Sequence, residues 1–280
     1  MTTTAIRTHT PPPTAGRTAV AAVARARWRS VLLLVTFPTT TTAAAVLTVP
    51  LLVGDRRAEG DMGTTALSIV LTALPVILGL CTSAVLTVLG AAQSVGVPLP
   101  VSPAVSVTRR RLGDAVTAAL PGATALIIAA FVLYPLVALN LTGLPSPLGP
   151  VSAVPPIAVS ILLVPVVAFA AIVVVPLTTL AWSVALAAGT WRTASRVFLT
   201  PRVWVAPVAT YLPIAAIWIT ATLASVSLPG RGVTVILTVI FWLLAAFGAV
   251  RAGTLGTHAA WQLGVPVTEQ ADGIRTAQTG

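Results

Sequence analysis

Six times between Val31 and Val250 the chain runs through about 18 or more consecutive residues without a single Asp, Glu, Lys, Arg or His. The stretches are 31–53, 65–89, 115–139, 157–188, 206–228 and 233–250. A bilayer core about 30 Å thick is crossed by roughly 20 helical residues. In hydrocarbon every backbone N–H and C=O must be satisfied internally, which leaves the helix as the natural form for isolated apolar runs. The expected fold is therefore all-α: a polytopic integral membrane protein with six transmembrane helices in one domain, residues 30–256. Composition agrees, with 56% hydrophobic and 8% charged residues and a mean hydropathy of +0.99. Soluble domains carry about 25% charged residues.

Arginine placement sets the expected orientation. All 16 basic residues are arginine, a bias that points to a GC-rich genome such as an actinobacterial one. Six spans with a cytoplasmic N terminus put thirteen arginines on one side: Arg7, Arg17, Arg25, Arg27, Arg29, then Arg109, Arg110, Arg111, Arg192, Arg196, Arg202, Arg251 and Arg275. Only Arg56, Arg57 and Arg231 fall on the other. The fourth stretch, 157–188, is longer than one straight crossing, and Pro165 or Pro176 offers a kink. Splitting it into two crossings would reduce the bias to nine against seven. Cytoplasmic loops carry the excess of arginine, so six spans with both termini cytoplasmic is the expectation, in the cell membrane. Trp28, Trp191, Trp204 and Trp261 then fall near the inner interface, where indoles prefer to sit.

Outside the spans, residues 1–29 are expected to form a disordered to amphipathic cytoplasmic segment, and 257–280 a cytoplasmic tail. The first apolar run, Val31 to Gly54, is long enough to span and is expected to be retained rather than cleaved as a leader. Segments 93–114 and 191–205 mix arginine with apolar residues and suit short interfacial helices. Arg109, Arg110, Arg111, Arg192, Arg196 and Arg202 are the candidate contacts to a partner or to lipid headgroups. Outer loop 140–156, uncharged and proline-rich, suits a close-packed or re-entrant loop.

Several motifs have two uses. Pro38 and Pro50 in the first span match the spacing of Pro165 and Pro176 in the fourth, as an inverted repeat with broken helices would. The plainer account, that neighbouring groups satisfy carbonyls freed by proline, is preferred. Thr36, Thr39 to Thr42 and Thr48 can line a polar path, or can bond their own helix carbonyls, the favoured reading. In the sixth span Gly248, Ala252, Gly253 and Gly256 make a small-residue surface for close helix packing. Intramolecular packing is preferred for it over a homodimer seam. Cys81, the one cysteine, excludes an internal disulfide and is expected to be a buried small hydrophobe.

Chemistry-bearing groups are scarce. The spans hold no ionisable group of the kind that proton- or ion-coupled carriers place there. No HExxH, GxxxxGK[ST] or GxSxG motif occurs. Asp55, Glu59 and Asp61 lie beside Arg56 and Arg57 and are expected to be a solvated loop; His258 is a lone histidine. No enzyme activity, no cofactor, no metal and no nucleic-acid partner is expected.

The stretch Gly96–Leu120, GVPLPVSPAVSVTRRRLGDAVTAAL, resembles the inner loop of six-helix proteins similar to the membrane domain of glycerophosphoryl diester phosphodiesterases. There a glycine-containing link leads into a short helix, an arginine cluster and the third span. Residues 188–207, AGTWRTASRVFLTPRVWVAP, are similar to that family's second loop, although Gly189 and Thr190 stand where an acidic residue is usual. The likeness covers roughly Val31 to Val250 in layout and those two loops in residues. It implies a six-helix membrane domain. It implies no hydrolysis, since these 280 residues contain no soluble phosphodiesterase domain.

The functional expectation is a non-enzymatic, permease-like subunit that exports a lipid or lipophilic compound and is powered by a partner ATPase. The competing expectation is a scaffold or stabilising subunit of a cell-envelope complex. Membrane lipids, a cytosolic ATPase, other membrane subunits or a second copy of the chain are the partners these readings call for.

Overall fold

The computed structural model describes residues 23, 28, 31–32, 34–45, 62–142, 170–211, 213 and 231–279. They are helical or in short turns, with no strand among the described residues. Helix α1 covers 34–45, α2 Met62–Ser94 and α3 Val101–Thr142. A π turn, Ala170–Val174, leads into α4, Val175–Ala188. Then come the short α5, Trp191–Ser195, and the 3-10 turns Arg196–Leu199 and Pro201–Val203. Helix α6 covers 205–211, α7 Arg231–Gln262 and α8 Val267–Thr279. Three stretches are long and apolar enough to cross a membrane: Ala73–Ser94, Val101–Ile128 and Ile236–Gln262. The described residues are thus helical, with the apolar helices of a multi-pass membrane protein. The Asp55–Asp61 loop, Thr48, most of the N-terminal segment, outer-loop residues 143–156 and most of the fifth span lie outside the described residues.

Interhelix contacts give the topology. Helices α2 and α7 run parallel: Gly79 meets Trp242, Gly90 meets the Val250 carbonyl, and Ser94 bonds Thr257. Gly256 of α7 lies against Ser183 of α4, and all three helices deliver their C termini to one end. Helix α3 is antiparallel to α4, with Gly122 beside Thr178 at one level and Arg111 bonded to Leu186 at another. So α3 carries the chain away from that end and α4 brings it back.

Each of the three returning helices is stopped by a glycine in the left-handed region: Gly96 at φ 74°, Gly189 at 72° and Gly264 at 96°. After α2 the Val97 N–H reaches the Ala92 carbonyl at 2.8 Å, and after α7 the Val265 N–H reaches Ala260 at 3.0 Å. Both are the six-to-one bond of a Schellman stop, while Gly189 closes α4 with a single bond to Ala185 at 2.8 Å. These stops turn the chain sharply, so the connector of residues 190–204 and α8 fold back onto the same end.

The buried core lies at that end. It includes Ala84, Leu86 and Val88 of α2, Val107 of α3, Val184 of α4 and Ala260 of α7, all fully buried. Further along α2, Val76, Ile77 and Leu80 are each 57% exposed, as side chains facing lipid would be. Cys81 is exposed as well, on that outward face and not in the core; the sequence-based expectation of burial followed from its apolar neighbours, which here face outward too.

Local chemistry explains two prolines. Pro38 has no N–H, so the Leu34 carbonyl of α1 loses its helical donor. Thr82 of α2 supplies one, Oγ1 to the Leu34 oxygen at 3.3 Å. Pro176 removes the donor for Ile172, and the chain enters α4 through a π turn at that point. Thr36 and Thr39 to Thr42 donate to carbonyls three or four residues back, for example Thr39 to Val35 at 2.7 Å. Their hydroxyls are thus engaged with their own helix, and Thr42 also accepts from the Trp242 indole at 3.0 Å.

Two boundaries differ from those expected. Residues 101–114 are not a separate interfacial helix; they are the first part of α3, which at 42 residues is about 63 Å long. Residues 257–279, expected within the C-terminal tail, are helical over most of their length. Residues 257–262 complete α7, and α8 packs back onto α3 and α4, burying Gln270, Ala271 and Ile274. Polar composition hid this: few side chains on one face need to be covered, and the other face is hydrophilic.

Candidate functional site

The core end gathers the chemistry-bearing groups. Its centre is Arg111, which is 6% exposed. Its Nη1 donates to the Leu186 and Ala187 carbonyls, both at 2.7 Å. Those carbonyls belong to the last turn of α4, whose final four C=O groups have no intrahelical donor. A cation is also favoured at a helix C terminus by the macrodipole. Arg111 therefore supplies hydrogen bonds and opposite charge where α4 lacks both, and ties α3 to α4.

Two glycines make room for the guanidinium. A Cβ at Gly189 would stand 3.3 Å from its Cζ, and one at Gly273 of α8 would stand 3.0 Å from Nη2. Glycine inside a helix costs about 1 kcal/mol relative to alanine. At Gly273 close approach to Arg111 accounts for it. The arginine is thus enclosed by α3, the end of α4 and α8.

This placement corrects the expectation for one of the six arginines. Arg109, Arg110, Arg192, Arg196 and Arg202 are exposed, but Arg111 faces inward and can touch neither headgroup nor partner in this structure. Successive helical residues are 100° apart, so three adjacent arginines cannot share one face. The buried residues of α3 recur as Ala104, Val107, Arg111, Ala115 and Ala118, a three-four spacing that puts Arg111 on the packed stripe. That periodicity was the available signal. Packing of α3 against α5 brings the two arginine-bearing stretches to the same end of the bundle.

The connector is folded against the core. Ala194, Val197 and Val203 are buried, and the Trp204 indole donates to the Val197 carbonyl at 2.7 Å. Its outer face carries Trp191 and Leu199 among Arg192, Arg196 and Arg202, and continues onto Val205 at the start of α6. Arg192 lies 5.9 Å from the Trp191 ring centroid.

The small residues of α7 pack within this chain. A Cβ on Gly253 would overlap the Thr87 carbonyl of α2, and one on Gly256 would come 2.7 Å from the Ser183 backbone of α4. Ala252 is buried, and the Gly248 carbonyl accepts from the Tyr211 hydroxyl at 3.4 Å. Glycines of the partner helices matter equally: Gly90 against Val250, Gly79 against the Trp242 ring and Gly122 against Thr178.

Polar links close the end. Ser94 and Thr257 share a buried hydrogen bond of 2.6 Å. Gln270 of α8 donates to the Thr257 carbonyl at 3.3 Å and to Val265 at 3.0 Å, while its Oε1 is buried without a partner. No group of three His, Cys, Asp or Glu that could hold a metal occurs among the described residues. His258 lies within hydrogen-bond distance of Gln262, at 3.1 Å. The arrangement offers a tightly packed end, a buried cation engaged by backbone carbonyls, and a basic-apolar outer face.

No protein-family model, curated protein or solved structure matches the chain.

Proposed function

We propose that this is a non-enzymatic, multi-pass cell-membrane protein with six spans and cytoplasmic termini, acting as a permease-like subunit for export of a lipid or lipophilic compound. A partner ATPase would supply the energy. The observation that carries the reading is the division of labour along the helices. The described parts of the spans expose large apolar side chains and no acid or base, while both arginine-bearing stretches meet at one end that also holds α8. An apolar cargo needs no charged relay, and a braced end gives a cytosolic partner something to push against. The helix directions suit the proposed topology, since spans two, four and six run parallel and span three opposes them. Arg111, in the first of the two stretches that resemble membrane domains of glycerophosphoryl diester phosphodiesterases, bonds the last turn of α4 immediately before the second.

The scaffold reading has its own supporting observation. Gly90, Gly253 and Gly256 admit backbone-to-backbone contact, which resists the rearrangement a transport cycle needs. Purification from the native host in mild detergent, with mass spectrometry of every associated protein, separates the two. A stoichiometric ATPase whose turnover responds to lipid supports the permease subunit. An envelope enzyme or other membrane proteins without an ATPase support the scaffold.

A further inference from the structure

We propose that the exposed face formed by the connector and the arginine turn of α3 binds anionic phospholipid headgroups of the surrounding leaflet. This inference stands apart from the transport reading and holds for a scaffold equally.

The first support lies on α3. Arg109, Leu112, Val116 and Leu120 follow one another at intervals of three and four residues, so they share one helical face. All four are exposed, and Ile127, seven residues on, continues the row. That face passes from cation to hydrocarbon-like surface within one turn, as a helix does where it leaves the headgroup layer. A cytosolic protein could cover the arginine but could not follow the row into the membrane-spanning part of α3. Lipid can cover both.

The second support is the connector. Leu199 is 82% exposed and Val205 73%. Leaving such side chains in water is unfavourable by about 25 cal/mol per Å². They alternate with Arg192, Arg196 and Arg202 on the exposed side of a segment whose other side is anchored in the core. Apolar groups at acyl-chain depth with arginines reaching up to phosphate is the arrangement of an interfacial segment. The Trp204–Val197 bond holds it closed.

Charge complementarity supplies the third. Five exposed arginines are gathered at this end, and no ion pair among the described residues engages any of them. Across 101–120 and 190–205 the one carboxylate is Asp114. The surface therefore presents unneutralised positive charge to a negative leaflet. Each arginine near such a surface contributes about 1 kcal/mol, or roughly fivefold in binding.

The test uses the full chain in nanodiscs of phosphatidylcholine with increasing phosphatidylglycerol, followed by native mass spectrometry of retained lipid after detergent release. Wild type should retain phosphatidylglycerol over phosphatidylcholine. R196Q/R202Q should weaken that retention about 25-fold, and adding R109Q further. R196K/R202K, which keeps charge, should retain most of it and guards against a folding defect. R275Q, on α8 where Arg275 pairs with Asp272 at 3.1 Å, should behave as wild type. Equal retention of the two lipids by wild type, or unchanged retention by folded R196Q/R202Q, would overturn the proposal. So would a protein partner whose binding the same substitutions abolish while lipid retention stays intact.

Discussion

The two halves of α2 are both apolar and behave differently. Residues 84–92 are buried on every side, against α4 and α7, whereas Val76, Ile77 and Leu80 a few turns earlier look outward. Helix α7 repeats the pattern, with Phe247 and Ile236 exposed and residues 252–257 buried. Hydropathy does not separate the halves, because lipid tails are as apolar as leucine and give no hydrophobic drive for helices to associate. Size does. Where Gly, Ala, Ser and Thr recur, backbones approach and polar side chains cross between helices. Where small residues are sparse, as around Val76, Ile77 and Leu80, large side chains face outward.

The strongest way to break this contrast is at Arg111. R111M should destabilise the protein by roughly 4 kcal/mol, because two buried carbonyls lose their donor at about 1–3 kcal/mol each. Thermal unfolding in detergent, followed by circular dichroism, reads the loss. R111K should recover only part of it, since a compact ammonium lacks the planar fork. Next comes G253L, which forces a side chain into the Thr87 carbonyl and should cost about 3 kcal/mol, as overpacking does. The equivalent enlargement on the outward face, A73L, should cost nothing measurable in the same assay.

Smaller effects sharpen the boundary between the halves. S94A removes the bond to Thr257 and should cost about 1 kcal/mol, in the range found for interhelical hydrogen bonds in membranes. T82V should cost a similar amount by leaving the Leu34 carbonyl, already deprived by Pro38, without its donor. At the bottom of the series, I77A should change stability by about 0.5 kcal/mol or less, as at other surface sites. A large loss there would mean that this face is covered by protein instead of lipid.

Much of the architecture was legible in the chain. The charge-free runs at 65–89, 115–139 and 233–250 fall in the three helices long enough to cross a membrane, and the small residues at 248–256 lie on a close-packed surface. That the C-terminal tail docks as a helix was not legible, because α8 is polar overall and its main buried contacts are Gln270, Ala271 and Ile274. Charge alone does not separate Arg111 from Arg109 and Arg110; only helical phase puts it on the packed stripe of α3. The partners of Gly90 and Gly122 were also out of reach, since a glycine in an apolar run does not say which backbone approaches it.

The shared direction of α2, α4 and α7 has an electrostatic consequence. Each helix ends in a partial negative charge of about half an electron, carried by its last carbonyls. The three ends together carry roughly one and a half electrons of negative charge, of which the N terminus of the antiparallel α3 offsets about half an electron, in a layer that contains few carboxylates. Arg111 answers one of them directly. The remaining arginines at this end then sit in a field made by the backbone itself, so their preference for this side of the molecule has an intramolecular origin in addition to any exerted by the membrane.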